Sequence, residues 1–337
     1  MADAPILVMG AGAWGTALAA VCARAGREVC LYDTDAATIE ALRATHHHPR
    51  FAPEVELPAG ITPVASLAGL PVPAFALMVV PYQVMRGALE ALRPMLPALP
   101  AVACASKGFE LDTGMMAHEI VAAVLGAELP FAQVSGPNFA VEILRGSPAA
   151  ITVGASDAAL GRRIVAAMHG PAFRPYYTDD VIGVEVGGAL KNVIAIAAGI
   201  ADGLGLGANT RAALITRGLA EIARFGMARG GRRETFMGLS GMGDLVLTCT
   251  DDQSRNRRFG KALAASGSVS AAQAEVGALV EGVATARAIA ALAHESGVEM
   301  PIVAEVTRVL NGETTPNDAV RRLLARDPTV ETGAPAG

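Results

Sequence analysis

The chain has 337 residues, 52% of them hydrophobic, 18% charged and 4% aromatic, with 37 glycines and a net charge of −5. That length and apolar content suit about two packed domains of Ala, Val, Leu and Ile, and they exclude a globally disordered chain. The negative balance argues against a general nucleic-acid binder or a polybasic membrane surface, but leaves room for a basic pocket that holds an anionic metabolite.

Residues 5–10 form a short apolar run ending in Gly10, followed by Ala-Gly-Ala-Trp-Gly. Leu18, Val21, Cys22 and Ala25 then fall on one helical face, and Gly26 stops that helix. Glu28 to Tyr32 reads as a second strand closing on Asp33. The alternation continues with strands at 75–80, 101–105, 131–134 and 150–153. A helix is expected over 83–92. Thr113 is expected to cap another, with Met116, Ile120 and Val124 on its face and Gly126 at its end. This rhythm predicts an α/β domain with a doubly wound, mostly parallel sheet.

Beyond about residue 183 the alternation stops. Helical stretches are expected at 184–201, 210–228, 255–265, 282–295, 302–310 and 317–326. With Gly10-Ala-Gly12-Ala-Trp-Gly15 in its first strand-to-helix turn, the stretch 1–184 reads as a dinucleotide-binding Rossmann domain, followed by a mainly helical domain over 185–326 and a polar tail over 327–337 that is expected to be disordered.

Gly10-Ala-Gly12-Ala-Trp-Gly15 matches G-x-G-x-x-G between a strand and a helix, and Asp33 lies 18 residues past Gly15. Gly10 allows the tight turn, Gly12 the approach of a pyrophosphate, and Gly15 close helix–strand packing. The helix N-terminus offers N–H groups and positive potential to the phosphates. A carboxylate at Asp33 would accept from a ribose 2′-OH and repel a 2′-phosphate. No arginine follows in Thr34-Asp35, so NAD(H) is favoured and NADP(H) stays open. The competing role for Asp33 or Asp35 is a helix N-cap.

Lys107 follows a strand on the edge where open α/β sheets bind ligands. Lys191 sits in an apolar helical run, where periodicity alone favours a side chain that snorkels to water. A desolvated Lys191 would instead lose proton affinity and move protons near neutral pH. Gly241-Met-Gly-Asp244 is a lone acid among glycines, and Ser254-Arg255-Asn256 at a helix start suits a phosphate or carboxylate. The alternative for the run through Arg258 is a solvated helix face. His46-His47-His48 is not read as a metal site, because consecutive side chains diverge. His118, His169 and His294 are read as surface or packing residues. Cys22, Cys30, Cys104 and Cys249 show no metal or redox spacing and read as reduced buried thiols of a cytoplasmic protein. No stretch reads as a transmembrane helix, and Asp3 with no basic residue before Arg24 does not fit a secretory signal.

Together these blocks, above all residues 241–260 with Val280-Glu281-Gly282 and Met300-Pro301-Ile302, resemble bacterial NAD(P)-dependent glycerol-3-phosphate dehydrogenase over about residues 5–326. The resemblance implies reversible reduction of dihydroxyacetone phosphate to sn-glycerol 3-phosphate for glycerophospholipid synthesis. It also implies a cytoplasmic homodimer without metal. It implies Lys191 as proton donor and acceptor, Lys107 as a substrate- and cofactor-contacting lysine, and Asp244 as the acid that binds substrate and orients the lysine. Asn192 and Thr248 fall where polar support is expected. Gly136, Asn138, Ser254, Arg255 and Asn256 match substrate contacts. Ala13, Trp14, Thr34, Ala140, Arg255, Leu279 and Glu281 match cofactor contacts. Asn138 stands where the family often has Thr or Ser, and Asp33-Thr34 replaces patterns that in many relatives accommodate NADP. The rivals are another two-domain dehydrogenase, of β-hydroxyacid or 6-phosphogluconate type, and a nonenzymatic dinucleotide sensor.

Overall fold

The computed structural model describes residues 4–95 and 98–327. Among them, eight strands make one sheet: β1 (Ile6–Met9), β2 (Val29–Tyr32), β3 (Ile61–Val64), β4 (Ala76–Met78), β5 (Val102–Cys104), β6 (Phe131–Ser135), β7 (Ala149–Ala155) and β8 (Phe173–Thr178). Their order is β3-β2-β1-β4-β5-β6-β7-β8. All pairs are parallel except β6 with β7, in keeping with the mostly parallel sheet expected. β1 lies between β2 and β4, so connections diverge there and leave a crevice at the strands' carboxyl ends. Apolar side chains of β1, β4 and β5 feed cores on both faces, which is why these strands read as continuous apolar runs.

The edge strands β3 and β8 escape sequence reading. Pro63 and Pro175 sit inside them, and a proline is tolerated where one flank of the strand is unpaired. Thr113 is not a helix cap. The helix runs Ala117–Leu125 from Met116, and the Thr113 hydroxyl donates to Glu110 Oε2 at 2.5 Å. The 83–92 region tightens into a short turn before a helix at Met85–Glu90.

After Thr178 the chain is helical. The Val181–Gly203 helix is apolar on all sides and buried almost throughout. It is long and apolar enough to cross a membrane by composition, yet 89% of its most apolar window is buried in the protein. Around it pack the helices Gly207–Ala228, Asp244–Thr250, Arg255–Ser266, Glu281–Glu295 and Pro301–Leu310. Glycine sets how near the Arg255–Ser266 helix comes. A Cβ on Gly199 would lie 2.1 Å from the Arg257 carbonyl, and one on Gly260 would lie 2.2 Å from the Ile196 carbonyl. All four cysteines are free and buried, and burial pushes the thiols of Cys22, Cys104 and Cys249 up to about 12. Of the expected tail, residues 328–337 lie outside the described residues.

Candidate active site

The crevice beside β1 is lined by the glycine loop. A Cβ on Gly10 would meet the Val79 carbonyl at 2.5 Å, and one on Gly15 would meet the Gly10 carbonyl at 1.8 Å. Gly10 also has φ +110°, in the region that favours glycine. A Cβ on Gly12 would meet nothing within 4 Å. No packing demands glycine there, so the open space suits an approaching ligand. Gly12 caps the Ala13–Arg24 helix with no side-chain acceptor and no acid in the first turn, which leaves its N–H groups to an anion. The buried Trp14 Nε1 also lacks a partner. The residues present therefore fit a dinucleotide.

Asp33 is tied to the backbone of the loop. Its Oδ2 accepts from Ala11 N–H at 2.6 Å and its Oδ1 from Asp35 N–H at 2.9 Å. Asp35 is the N-cap of the Ala36–Thr45 helix. His48 closes on the other side of Ala11. Its Nδ1 accepts from the N–H groups of Arg50 at 3.1 Å and Phe51 at 3.2 Å, so Nε2 carries the proton and donates to the Ala11 carbonyl at 2.9 Å. Burial holds this imidazole below its ordinary proton affinity. Of the histidine triplet, His48 is thus a structural clamp on the loop. No sequence signal indicated it, because its partner lies 37 residues away.

Lys191 does not snorkel. It is buried and bonds Asp244 Oδ1 and, at 2.9 Å, Thr248 Oγ1. Lys107 donates to the other oxygen, Asp244 Oδ2, at 2.6 Å, and reaches the Gly136 carbonyl at 3.4 Å. Two lysines thus share one buried carboxylate. Burial draws Lys191 from 10.5 down to about 8. The Lys107 charge adds to the effect and Asp244 opposes it. The sequence around Asp244 is built to deliver it. Gly243 N–H reaches back five residues to the Gly238 carbonyl at 3.1 Å, a widened turn of the kind frequent at functional sites. A Cβ on Gly241 would stand 2.1 Å from the Phe236 carbonyl, and one on Gly187 would stand 2.7 Å from the Ser240 carbonyl.

Next to Lys191, Asn192 Oδ1 accepts from Asn256 Nδ2 at 2.9 Å, and Asn256 Oδ1 accepts from Gly282 N–H at 3.0 Å. Ser254 caps the Arg255–Ser266 helix by accepting from Arg257 N–H at 3.2 Å. The basic run splits: Arg255 and Arg258 are exposed, whereas Arg257 is buried against Asp202 at 2.7 Å. Arg255 stands near enough to lower the proton affinity of Glu281, which burial raises. Glu281 Oε1 accepts from Tyr82 N–H at 3.4 Å, bringing this region beside the sheet domain. Asn138 Nδ2 donates to the Ala150 carbonyl at 3.4 Å, while its buried Oδ1 has no partner. Ser135 Oγ is likewise buried without a partner. Thr34 and Leu279 are exposed, and Ala13 and Ala140 half-buried, with no polar side-chain contact that would assign them a role. His118 does more than pack: its backbone N–H donates to Glu185 Oε1 at 2.9 Å and its Nδ1 lies 2.6 Å from Glu185 Oε2. Among the described residues, no group of three His, Cys, Asp or Glu side chains could hold a metal.

A glycine loop that fits a dinucleotide, in a fold that also buries two lysines on one carboxylate, suits a dinucleotide-dependent oxidoreductase. Comparison with known proteins narrows this. The model of the NAD-dependent glycerol-3-phosphate dehydrogenase N-terminus matches residues 5–161, and that of the C-terminus residues 180–321. A glycerol-3-phosphate dehydrogenase [NAD(P)+] of Thioalkalivibrio sulfidiphilus is 49% identical over 97% of this chain and 98% of its own. One of Xanthomonas campestris is 47% identical over 96% and 95%. The crystal structure of glycerol-3-phosphate dehydrogenase from Coxiella burnetii is 40% identical, covers 97% of this chain and all of its own, and has a TM-score of 0.92. The chain belongs to the NAD-dependent glycerol-3-phosphate dehydrogenase family.

Proposed function

We propose that this oxidoreductase interconverts dihydroxyacetone phosphate and sn-glycerol 3-phosphate with NAD(P)H, supplying glycerol 3-phosphate for glycerophospholipid synthesis, and that Lys191 carries the proton. The observation that carries the role of Lys191 is its burial against Asp244, with Lys107 on the same carboxylate. A bound nicotinamide supplies or accepts the hydride. In reduction, negative charge gathers on the carbonyl oxygen. Lys107 stabilises it and Lys191 gives it a proton, both preorganised where little water competes. In oxidation, neutral Lys191 takes the hydroxyl proton. Asp244 keeps the two ammonium groups converged, and Thr248 fixes the Lys191 rotamer.

The substrate phosphate is assigned to Arg255, Asn256 and the N-terminus of the Arg255–Ser266 helix, with Asn138 and Gly136 along the near side. Holding that end fixes the carbonyl against the reacting group. Gly10, Gly12, Trp14 and Gly15 are assigned to the pyrophosphate, Asp33 to the ribose with a preference for NAD(H), and Glu281 and Arg255 to the cofactor's far side. The same reading divides the chain into a dinucleotide domain to residue 184 and a substrate domain from 185 to 326, and makes the protein a cytoplasmic homodimer.

The test is dihydroxyacetone-phosphate-dependent oxidation of NADH and NADPH by purified protein, alongside Lys191→Ala. Cofactor binding should survive in the variant and turnover should fall by at least about 10³-fold. Retained turnover removes Lys191 from the proton step. Folded wild-type protein that binds cofactor but leaves this substrate untouched would favour a β-hydroxyacid type of dehydrogenase.

A further inference from the structure

The end of β2 carries Asp33 and Thr34 with no arginine beside them, which reads as a site for an unmodified ribose. Folding adds one. After the Ala36–Thr45 helix the chain returns over the same sheet edge, anchored where His48 receives the N–H groups of Arg50 and Phe51. Asp33 and His48 hold the two polar groups of one residue, Ala11, in the glycine loop. The segment bearing Arg50 is therefore in register with the phosphate loop and with Asp33.

Arg50 is held lightly. Its Nη2 lies 3.5 Å from both Asp35 Oδ2 and Thr38 Oγ1, at the outer limit of a hydrogen bond, and its side chain is 63% exposed. Its guanidinium carbon sits 5.8 Å from the centre of the Phe51 ring. Asp35 is already engaged by the Thr38 hydroxyl at 2.7 Å, and Asp33 by two backbone N–H groups. Most of the guanidinium's planar donors are therefore free for an incoming oxyanion, which arginine grips in two-pronged fashion.

We propose that Arg50 is the residue that recognises a 2′-phosphate, and so lets a site biased toward NAD(H) by Asp33 also take NADP(H). The proposal rests on the cofactor reading above. The two side chains act with opposite sign at one ribose. Asp33 accepts from a 2′-OH and repels a 2′-phosphate, whereas Arg50 attracts the phosphate and has no stake in the hydroxyl.

The experiment is calorimetric titration of the full chain and of Arg50→Ala with 5′-AMP and with adenosine 2′,5′-bisphosphate, a pair that differs only in the 2′-phosphate. NADH and NADPH are titrated in parallel. The variant should bind the bisphosphate and NADPH about tenfold or more weakly, as expected for one charge-assisted contact, and 5′-AMP and NADH within about twofold of wild type. Arg50→Lys should fall between, keeping the charge and losing the fork. Unchanged bisphosphate affinity in the alanine variant overturns the proposal. So does an equal loss for both nucleotides, which would make Arg50 a general support of the adenosine site. Failure of the wild-type chain to bind 5′-AMP or NADH would sink the cofactor reading itself, a result distinct from loss of the 2′-phosphate preference in the variant alone.

Discussion

Replacing Asp244 by asparagine keeps the size of the side chain and removes the negative charge that Lys107 and Lys191 share. In the unaltered protein Lys191 is already drawn down to about 8 by burial. Carbonyl reduction needs it protonated, so the rate should fall as pH rises through about 8, and alcohol oxidation should rise through the same value. An opposite charge about 4 Å away is worth about 4 kcal/mol at an effective dielectric constant near 20. The asparagine carbonyl returns part of that, leaving a loss of about 2–3 kcal/mol and carrying Lys191 to about 6. At pH 7 the protonated fraction then drops from about nine-tenths to about one-tenth, so reduction slows about tenfold from proton supply alone. Initial rates in both directions between pH 5.5 and 9.5 would show it. Reduction by the variant should recover toward the acid end, and oxidation should hold its rate to lower pH than in wild type. An inflection that stays near pH 8 would refute the electrostatic reasoning. A loss equal at every pH would give Asp244 a role in gripping substrate instead.

Gly260→Ala would push a methyl group to 2.2 Å from the Ile196 carbonyl and 2.8 Å from the Ile200 nitrogen. It should cost about 1–3 kcal/mol in denaturant titration and raise KM for the phosphate substrate more than for the cofactor, because Arg255 heads the displaced helix. Glu221 is buried, with its oxygens accepting from the N–H groups of Ile302 at 2.8 Å and Val303 at 3.2 Å. Burial raises it from 4.5 to about 7, so its contribution to stability is fully present below pH 4.5 and lost as pH rises through 7. In Glu221→Gln that slope should vanish, seen as a Tm difference from wild type that grows in the variant's favour from pH 5 to pH 7. Parallel Tm curves would refute it.

The legible parts of the molecule are those whose physics is local. The glycine loop, the strands buried on both faces and the helix start at Ser254 each declare themselves within a few residues. What stayed hidden depends on distant partners. Lys191 reads as a snorkelling side chain until Asp244, 53 residues on, arrives to receive it. His48 reads as one of three diverging histidines until Ala11 lies above it. β3 and β8 are hidden because Pro63 and Pro175 are allowed only by their places at the sheet margins. Thr113 shows the converse: a good capping residue is taken by Glu110, and the helix begins after Met116. The family resemblance supplied roles for Lys107, Lys191 and Asp244 that periodicity alone did not.

The close approach of the two helix backbones at Gly199 and Gly260 has a consequence for selectivity. Lys191 rides on one of the two helices so joined and Arg255 on the other, and the Asn192–Asn256 bond ties them again at the reacting end. On the roles proposed for Lys191 and Arg255, the span between the helix positions that carry them is therefore set by main chain against main chain, which side-chain rotation cannot stretch. The pair works as a fixed caliper. A phosphorylated ketone one carbon too long or too short is measured against backbone, and its mismatch appears as lost alignment at the carbonyl, in kcat as well as in affinity.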